Sequence, residues 1–507
     1  MKKILLLAVS LFSFASLFGQ AGTLDTSFAN AGIGTYAPGT LHDVVYGIVP
    51  LPDNSMLIAG TAKINNMSGS VIMHVLQDGT VDTAYGNNGK ALVQYGMECY
   101  AYGMDLQPDG KCVVTGLTYT SLVNGDIFIL RLNEDGTLDS TFSGNGYDIK
   151  SFGGGEDLGK CVSVLSSGKI LVGGQGTFSG STEALFLMYN SDGTVDTTFN
   201  NNTGFLAVSA SGDVDQINGI AELADGSIAA AGYNTNGTST RAITMSISAT
   251  GNLIGGFIYV PTATTTSRAY GIVADGNRWY MTGTSDDFNG TDTWIARYNV
   301  SGPDVTFNGT GIVTINPAVL DAGFGIVLQP NGKILVAGTT GTGIFNRDFM
   351  TVRFDSTGTV DNTFGTNGYA ITPFGAFADA NAVCLSANGK VLSAGFRAGT
   401  NNDMIICRYL NDINSSTGLL SPLTDALLSV YPNPAGSSEE IRISGLKAGD
   451  YNLSCYDANG KEIFADNFSG YANEHRLTTA GWNQGLYILR LVDRNTFSVR
   501  TARVVIQ

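Results

Sequence analysis

A hairpin unit that recurs along most of the chain limits its fold more than any other feature. In its clearest copy, Phe324–Gly338, two apolar stretches flank the turn Pro330-Asn331-Gly332. Proline fixes φ and Asn-Gly accepts positive φ, so this turn reverses the chain at little cost. The sequence contains seven versions of the unit, which predicts many short antiparallel strands.

A second motif, Leu/Val-Asp-Thr-x-Phe before an Asn-Gly-rich turn, sets the period of the repeat. Successive aspartates lie 57 residues apart, except where 108 residues leave room for two slightly shorter copies. These aspartates are Asp25, Asp82, Asp139, Asp196, Asp304 and Asp361. The period is typical of propeller blades and too long for solenoid coils of roughly 20–30 residues. Four strand signals per copy match the content of a blade, so we predict an all-β, seven-bladed β-propeller over residues 21–410.

The order of the motifs predicts how the ring closes. The aspartate motif follows the last strand of each unit, but no copy follows the seventh unit, which ends at Tyr409. A spare copy, Leu24–Phe28, lies near the N-terminus instead. We expect it to dock behind Met404–Tyr409 and to bring Asp25 beside Arg408. A closed ring would leave no open end to the stack of sheets.

Four arginines share one position in their units, and three of them precede a motif aspartate by seven or eight residues. The predicted structural pairs are Arg131 with Asp139, Arg297 with Asp304, Arg353 with Asp361 and Arg408 with Asp25. His74 and Met188 take this position in the first and third units, and in the fourth Ser246 and Ile254 replace both partners. The joint loss predicts charge-assisted bonds that hold the inter-blade turns, not a ligand site.

Composition and motifs argue against several functions. A formal net charge of −16 argues against nucleic-acid binding, which depends on Lys and Arg at phosphates. Only three histidines occur, without an HExxH, GxSxG or P-loop motif, so we predict no catalytic residue, cofactor or metal. Calcium is a weaker alternative at the loops that begin at Asn133 and Asn190, although they lack a full ligand set. The six cysteines also lack metal-site spacing; Cys99–Cys112 and Cys384–Cys407 disulfides and buried thiols both remain open.

Loop residues leave two functional hypotheses open. A glycosidase needs only two carboxylates, which no motif would reveal. The acids that could line one mouth of the ring are Glu98, Glu156, Asp157, Asp213 and Asp215. The aromatic residues that could stack on sugars are Tyr100, Tyr119, Phe178 and Trp279.

The N-terminal residues 1–20 have the features of a secretory signal. Lys2 and Lys3 precede an apolar run from Ile4 to Phe18, followed by small or polar residues. No later apolar run is long enough to cross a bilayer, so we predict no transmembrane anchor.

The repeats and the C-terminal segment resemble two known families. LNEDGTLDSTFSGNG (Leu132–Gly146) and LQPNGKILVAG (Leu328–Gly338) resemble delta-60 repeats of bacterial surface and secreted proteins. That resemblance spans about Gly22 to Tyr409 and implies a propeller-like fold. After a linker at residues 411–426, residues 427–507 resemble the type IX secretion C-terminal sorting domain, type A, a small β-sandwich.

The motifs that carry the second resemblance are the YPNP opening, a turn with Gly-Lys and a basic-apolar end. The implied sorting-signal residues are Tyr431, Pro432, Asn433, Pro434, Gly460, Lys461, Arg500 and Arg503. The resemblance implies transport by the type IX machinery across the outer membrane of a Gram-negative bacterium. We therefore expect a secreted or surface-attached, non-catalytic scaffold that binds a glycan or protein. A polysaccharide hydrolase at the propeller mouth is the alternative. A third hypothesis, a purely structural surface protein, predicts no pocket and no bound partner.

Overall fold

The hairpin around Pro330-Asn331-Gly332 forms as the turn residues predict. Leu328 faces Ile334 across two antiparallel strands. The Gln329 N–H donates to the Lys333 carbonyl at 2.8 Å, which closes the turn. Gly332 has a φ of 79°, where a residue with a side chain would be strained. The residues from Ile334 to Ala337 are all buried, as expected for a strand covered on both faces.

The structure, a computed structural model, describes residues 20–412 and 429–506 except for short internal stretches. The excluded internal residues are 65–66, 122–123, 210–213, 255–257, 261–265, 287–289, 344, 432–434, 437–438, 445, 447–448, 457–461, 471–473 and 494–498. Nearly all of the predicted leader and linker therefore lies outside the described residues. The chain divides into two compact units, Met1–Ser415 and Ser416–Gln507.

Strands of the first unit form groups of four. After β1 (Ile33–Tyr36), the first two groups are β2 (Val44–Pro50), β3 (Met56–Ile64), β4 (Met67–Val75), β5 (Lys90–Val93) and β6 (Glu98–Leu106), β7 (Cys112–Tyr119), β8 (Gly125–Leu132), β9 (Tyr147–Lys150). A 3₁₀ turn, Phe142–Gly144, precedes β9. The third and fourth groups are β10 (Leu158–Val164), β11 (Ile170–Phe178), β12 (Ser181–Tyr189), β13 (Phe205–Val208) and β14 (Val214–Glu222), β15 (Ile228–Thr235), β16 (Thr240–Ile247), β17 (Ile258–Tyr259).

The remaining groups follow the same order. The fifth is β18 (Thr266–Asp275), β19 (Arg278–Asp286), β20 (Thr291–Asn299), β22 (Ile312–Ile315), with the two-residue β21 (Gly302–Pro303) between the last two. The sixth and seventh are β23 (Leu320–Leu328), β24 (Ile334–Gly343), β25 (Asn346–Phe354), β26 (Tyr369–Thr372) and β27 (Ala378–Leu385), β28 (Val391–Arg397), β29 (Asp403–Tyr409). Within the described residues, only the seventh group lacks a fourth strand of its own.

The N-terminal strand supplies the missing member and closes the ring. Strand β1 pairs antiparallel with β29, so that Ile33 faces Cys407 and Tyr36 faces Met404. The first strand of each group contacts the first strand of the next, and β27 of the last group contacts β2 of the first. The described strands thus form seven antiparallel groups around an axis. The predicted all-β propeller is confirmed, and closure by the chain's beginning is what the structure shows.

Each arginine of the predicted pairs lies against its aspartate and is almost fully buried. Arg131 Nε is 2.8 Å from Asp139 Oδ2, and Arg408 Nε is 3.1 Å from Asp25 Oδ2. The distances are 2.8 Å for Arg297 with Asp304 and 2.8 Å for Arg353 with Asp361. Each guanidinium also stands over the phenylalanine of its own motif, as Arg131 does over Phe142.

The same arginines reach into the following group. Arg131 Nη1 donates to the Ser191 carbonyl at 2.6 Å, and Arg297 Nη1 donates to the Ser356 carbonyl at 3.0 Å. Arg408 donates to the Gln77 carbonyl, which lies in the first group. Each arginine therefore joins its own turn to the next turn around the ring, and Arg408 makes the closing link.

A lysine that the sequence analysis did not identify shares the aspartate. Lys111 Nζ is 2.7 Å from Asp139 Oδ2, and in the third group Lys169 Nζ is 2.5 Å from Asp196. Lys333, Lys390 and Arg278 hold the equivalent place in later groups. Burial alone would raise the pKa of Asp139, but bonds from Lys111 and Thr141 and the charge of Arg131 hold it below its ordinary value.

The first and fourth groups depart from this arrangement: the first keeps the aspartate and pairs it with a histidine, and the fourth has neither the aspartate nor the cations. His74 Nδ1 lies 2.9 Å from Asp82 Oδ2, and His74 Nε2 lies 2.8 Å from Ser55 Oγ. In the fourth group the positions of arginine, lysine and aspartate hold Ser246, Ser227 and Ile254. Both cations are absent where the anion is absent, which follows from the cost of burying an unpaired charge.

The second unit is a β-sandwich. Its strands are β30 (Ser429–Tyr431), β31 (Glu440–Ser444), β32 (Gly449–Tyr456), β33 (Glu462–Gly470), β34 (Glu474–Thr478), β35 (Gly485–Asp493) and β36 (Val499–Ile506). One sheet has the order β30-β31-β34 and the other β33-β32-β35-β36. Ile441 and Leu477 of the first sheet and Leu453 and Leu489 of the second belong to one buried core.

We predict that Asp139→Ala lowers the free energy of unfolding by about 3–5 kcal/mol, because it leaves Arg131 and Lys111 without their carboxylate. Asp135→Ala, in an exposed turn, is the control and should cost about 1 kcal/mol or less. The triple variant Lys111→Ser, Arg131→Ser, Asp139→Ile copies the fourth group and should lose less than Asp139→Ala alone. Denaturant unfolding in which the triple variant is the least stable would contradict this account.

Candidate functional site

A β-bulge interrupts the innermost strand of every group. The register skips one residue in each case, as between Val45 and Gly47 and between Gly159 and Cys161. The skipped residues are Tyr46, Tyr102, Lys160, Asn218, Tyr270, Phe324 and Asn381. A bulge re-aims the side chain of the extra residue, and six of the seven line one space at the axis. We call this space the central channel; it has a volume of about 240 Å³.

Close contact between innermost strands keeps the central channel narrow. A methyl group on Gly103 would lie 2.9 Å from the Cα of Cys161 in the next group. That contact is tighter than packed atoms tolerate, so glycine after the bulge allows the strands to meet. Asn381 Nδ2 donates to the Val45 carbonyl at 2.8 Å, linking the last innermost strand to the first.

Lys160 is the cation of the central channel. Its Nζ lies 4.2 Å from the centre of the Tyr102 ring and 5.5 Å from that of Tyr46. None of the described residues forms an ion pair or a hydrogen bond with this ammonium group. Burial lowers the pKa of Lys160 to about 8. Aromatic faces attract a cation but do not neutralise it, so the group retains its capacity to bind an anion.

A larger cavity of about 780 Å³ opens beside the channel, at the opposite end of β7 from Lys111. We call it the mouth cavity. Its lining residues are Met67, Gly96, Met97, Glu98, Tyr100, Tyr102, Leu117, Tyr119, Ser121 and Glu156. Tyr102 borders both spaces and therefore joins the mouth cavity to the central channel.

The tyrosines of the mouth cavity form a continuous aromatic wall. The ring centres of Tyr100 and Tyr102 are 6.3 Å apart in a stacked arrangement. Tyr119 meets Tyr100 edge-on at 6.4 Å, and Tyr46 meets Tyr102 edge-on at 5.1 Å. Met67 and Met97 are 46% and 45% exposed at the same cavity, which makes its rim apolar.

Two carboxylates are held in place by this wall. The Tyr119 hydroxyl donates to Glu156 Oε1 at 3.0 Å, and the Tyr100 hydroxyl donates to Glu98. Burial and the bond to Glu156 raise the pKa of Tyr119 to about 12, so its hydroxyl stays a donor at neutral pH. Each carboxylate keeps further lone pairs that can accept hydrogen bonds from a ligand.

The other sequence candidates for the mouth do not lie there. Trp279 is 1% exposed and belongs to the core, where its Nε1 donates to Thr244 at 3.0 Å. Phe178 packs against Phe152 and Phe205. Asp157 and Asp215 are fully buried, so the expectation that they line a mouth is wrong, and Asp213 lies outside the described residues.

The loops considered for calcium act as turns. Asp135 Oδ1 accepts bonds from the N–H and hydroxyl of Thr137, at 2.9 and 2.6 Å, and Asp192 is bonded in the same way by Thr194. No group of three or more His, Cys, Asp or Glu side chains in the described part could hold a metal ion. All six cysteines are free thiols, so neither of the two disulfide pairings is formed.

Of the predicted sorting-signal residues, only three are described. Tyr431 is 50% exposed in β30, and Arg442 Nη1 donates to its hydroxyl at 3.3 Å. Arg503 faces Ile488 and Arg500 faces Leu491 across β35 and β36. Pro432, Asn433, Pro434, Gly460 and Lys461 lie outside the described residues, and the signal role of the set stays a prediction.

Sequence reasoning missed the channel residues and the second cation of the aspartate clusters. Both sets of residues occupy a fixed position in each repeat. The channel residues directly precede Gly47, Gly103 and their equivalents, and the lysines directly precede the second strand of their groups. The residue at the bulge changes from Tyr to Lys, Asn and Phe among the groups. Residue type therefore gives no sign that these residues share a location, because the bulge in the backbone is what they have in common.

Two family models match the chain, and together they define its class. "Secretion system C-terminal sorting domain" matches residues 429–507. "Domain of unknown function (DUF5122) beta-propeller" matches residues 107–142, 165–199 and 329–364. The chain is thus a propeller-repeat protein with a type IX secretion sorting tail. It is exported by that system, to the medium or to the cell surface.

Three solved structures are distantly similar to the chain, each with a TM-score below 0.5. A fungal alcohol oxidase of the AA5 family in complex with copper is 14% identical, with a TM-score of 0.42 over 94% of this chain and 98% of that one. The polysaccharide lyase Uly1 is 11% identical, with a TM-score of 0.40 over 79% and 94%. PorZ, a surface component of the type IX secretion system of Porphyromonas gingivalis, is 10% identical, with a TM-score of 0.32 over 90% and 68%.

A search of curated proteins finds no significant match. No helix in the described part of the chain has the length and apolar character required to cross a membrane.

We predict that Lys160→Met raises stability at pH 7 by roughly 1–3 kcal/mol, because it removes a half-buried charge. The lowered pKa, about 8 against an ordinary 10.5, means that the cost is present below pH 8. This cost in stability disappears as the pH rises from about 8 to 10.5, so the stability difference between Lys160→Met and the unmodified protein should shrink over that range. Thermal melts across this range measure the difference, and a gain independent of pH would contradict the charge argument.

Proposed function

We propose that this exported protein is a non-catalytic binding protein that takes a saccharide in the mouth cavity. The observation that carries the proposal is the wall of Tyr100, Tyr102 and Tyr119 with two carboxylates bonded to it. Sugar rings present apolar C–H faces that stack on aromatic side chains, while their hydroxyls need acceptors. Glu98 and Glu156 supply such acceptors at the edge of the wall.

The size and rigidity of the mouth cavity support this choice. A volume of about 780 Å³ lies within the range of small-molecule sites and has room for a few sugar units. The tyrosine–carboxylate bonds fix the side chains before a ligand arrives, which reduces the entropy lost on binding. Export to the cell surface or medium also brings the site into contact with extracellular saccharides.

Glycan-array screening of the full chain without its predicted leader tests the proposal. We expect binding that weakens by about 10–100-fold in Tyr100→Ala and Tyr119→Ala, the loss of roughly 1.5–3 kcal/mol of aromatic contact. Tyr259→Ala is the matched control, because Tyr259 is 40% exposed on the outer strand β17, away from the cavity. If Tyr259→Ala weakens saccharide binding as much as the cavity variants do, the assignment of the site is refuted.

The alternative, hydrolysis of a polysaccharide, draws on the same two carboxylates. A glycosidase uses one carboxyl group as acid and a second as base or nucleophile. Here both are engaged by tyrosine hydroxyls, which favours binding. We predict no new reducing ends when the chain is incubated with a polysaccharide that it binds. Reducing ends that form with the unmodified protein and vanish in Glu98→Gln or Glu156→Gln would establish the hydrolase instead.

A further inference from the structure

We propose that the central channel is an anionic subsite, in which Lys160 binds the carboxylate or sulfate group of an acidic saccharide seated in the mouth cavity. The saccharide part of this inference rests on the proposed function. The anion-binding part rests on the geometry of the channel alone.

The surroundings of Lys160 differ from those of every structural cation in the ring. Arg131, as an example, has Asp139, Gln107 and the Ser191 carbonyl as partners within 2.8 Å. Lys160 faces only the rings of Tyr46 and Tyr102, and no described residue offers it a carboxylate. A half-buried ammonium group lowers the stability of the fold unless it is paired. A bound anion would supply the missing partner.

The charge and the volume of the central channel limit which anions can bind there. One ammonium group and a volume of about 240 Å³ suit a single monoanionic group. Carboxylate and sulfate ester groups each carry one charge, whereas a phosphate monoester carries close to two at neutral pH. Lysine acts as a point charge and does not impose the bidentate geometry of arginine. Carboxylate and sulfate therefore share the chemistry that Lys160 can bind.

The position of Tyr102 connects the subsite to the mouth cavity. Tyr102 lines both spaces, and Lys160 Nζ lies 4.2 Å from its ring centre. A sugar stacked on the tyrosine wall would thus place an acidic substituent at the ammonium group. The carboxylates Glu98 and Glu156 would face the sugar hydroxyls, away from that substituent.

The first experiment follows Lys160 itself, in the full chain labelled with ¹³C at lysine Cε. The Lys160 signal is identified by its loss in Lys160→Met. We expect a saturable shift of that signal on addition of sodium glucuronate or sodium methyl sulfate, both monoanions, and none with glucose at equal ionic strength. Whichever anion saturates at the lower concentration identifies the preferred group. An unmoved signal with both anions at millimolar concentrations overturns the proposal.

The second experiment measures affinity for an acidic oligosaccharide and its neutral counterpart by calorimetry. We expect tighter binding of the acidic form, reduced at least about tenfold by Lys160→Met, with the neutral form unaffected. Lys150→Met removes the same charge from the outer strand β9 and is the control. Equal affinity for both forms overturns the acidic-saccharide inference and leaves cavity binding intact. Anion shifts at Lys160 without binding of any saccharide support the subsite and refute the proposed function.

Discussion

The buried contact between a cation and the motif aspartate is the interaction on which the ring depends. Each arginine bonds to its own turn and to an oxygen of the following group, which is a backbone carbonyl for three of them and the Asn411 and Asp412 side chains for Arg353, so one side chain fixes both a turn and the position of its neighbour. Buried ion pairs are poor sources of net stability, but they penalise any arrangement that separates them. The final link needs Asp25, so the ring closes only when the segment before β1 meets β29, the last strand of the first unit.

The two ends of the innermost strands serve different purposes. At the end that carries the aspartate clusters, residue types repeat and even their exceptions are coordinated, as Ser227, Ser246 and Ile254 show. Toward the other end, the bulge repeats while the residue that it presents changes from Tyr46 to Lys160 to Asn218. A β-bulge that recurs in every group, with a different side chain each time, builds an asymmetric site on a symmetric scaffold. The mouth cavity accordingly lies at the first three groups, where the tyrosines are concentrated.

How far the sequence predicts this molecule depends on how local each contact is. The pair of Arg131 and Asp139 is separated by eight residues, and comparison among repeats exposed both members. Lys111 lies 28 residues from Asp139 in the chain and joins it only because the strands β7 and β8 pair. The mouth cavity combines residues of three groups, so no single repeat contains its pattern. Trp279 illustrates the limit: a large aromatic near a turn is compatible with a sugar platform, yet the neighbouring sheet covers it.

Lys160 does not follow the rule that every cation of the aspartate clusters is paired with a carboxylate. A chain with a net charge of −16 has an abundance of carboxylates to pair with a lysine, and Lys169, only nine residues later, has one at 2.5 Å. Selection for stability alone would replace an unpaired, half-buried ammonium by Tyr or Asn, residues that the same column already tolerates in other groups. A residue that breaks the local rule without a compensating contact in the fold is best explained by a partner outside the fold. The unpaired cation at the axis therefore favours the central channel as a site for an anionic ligand.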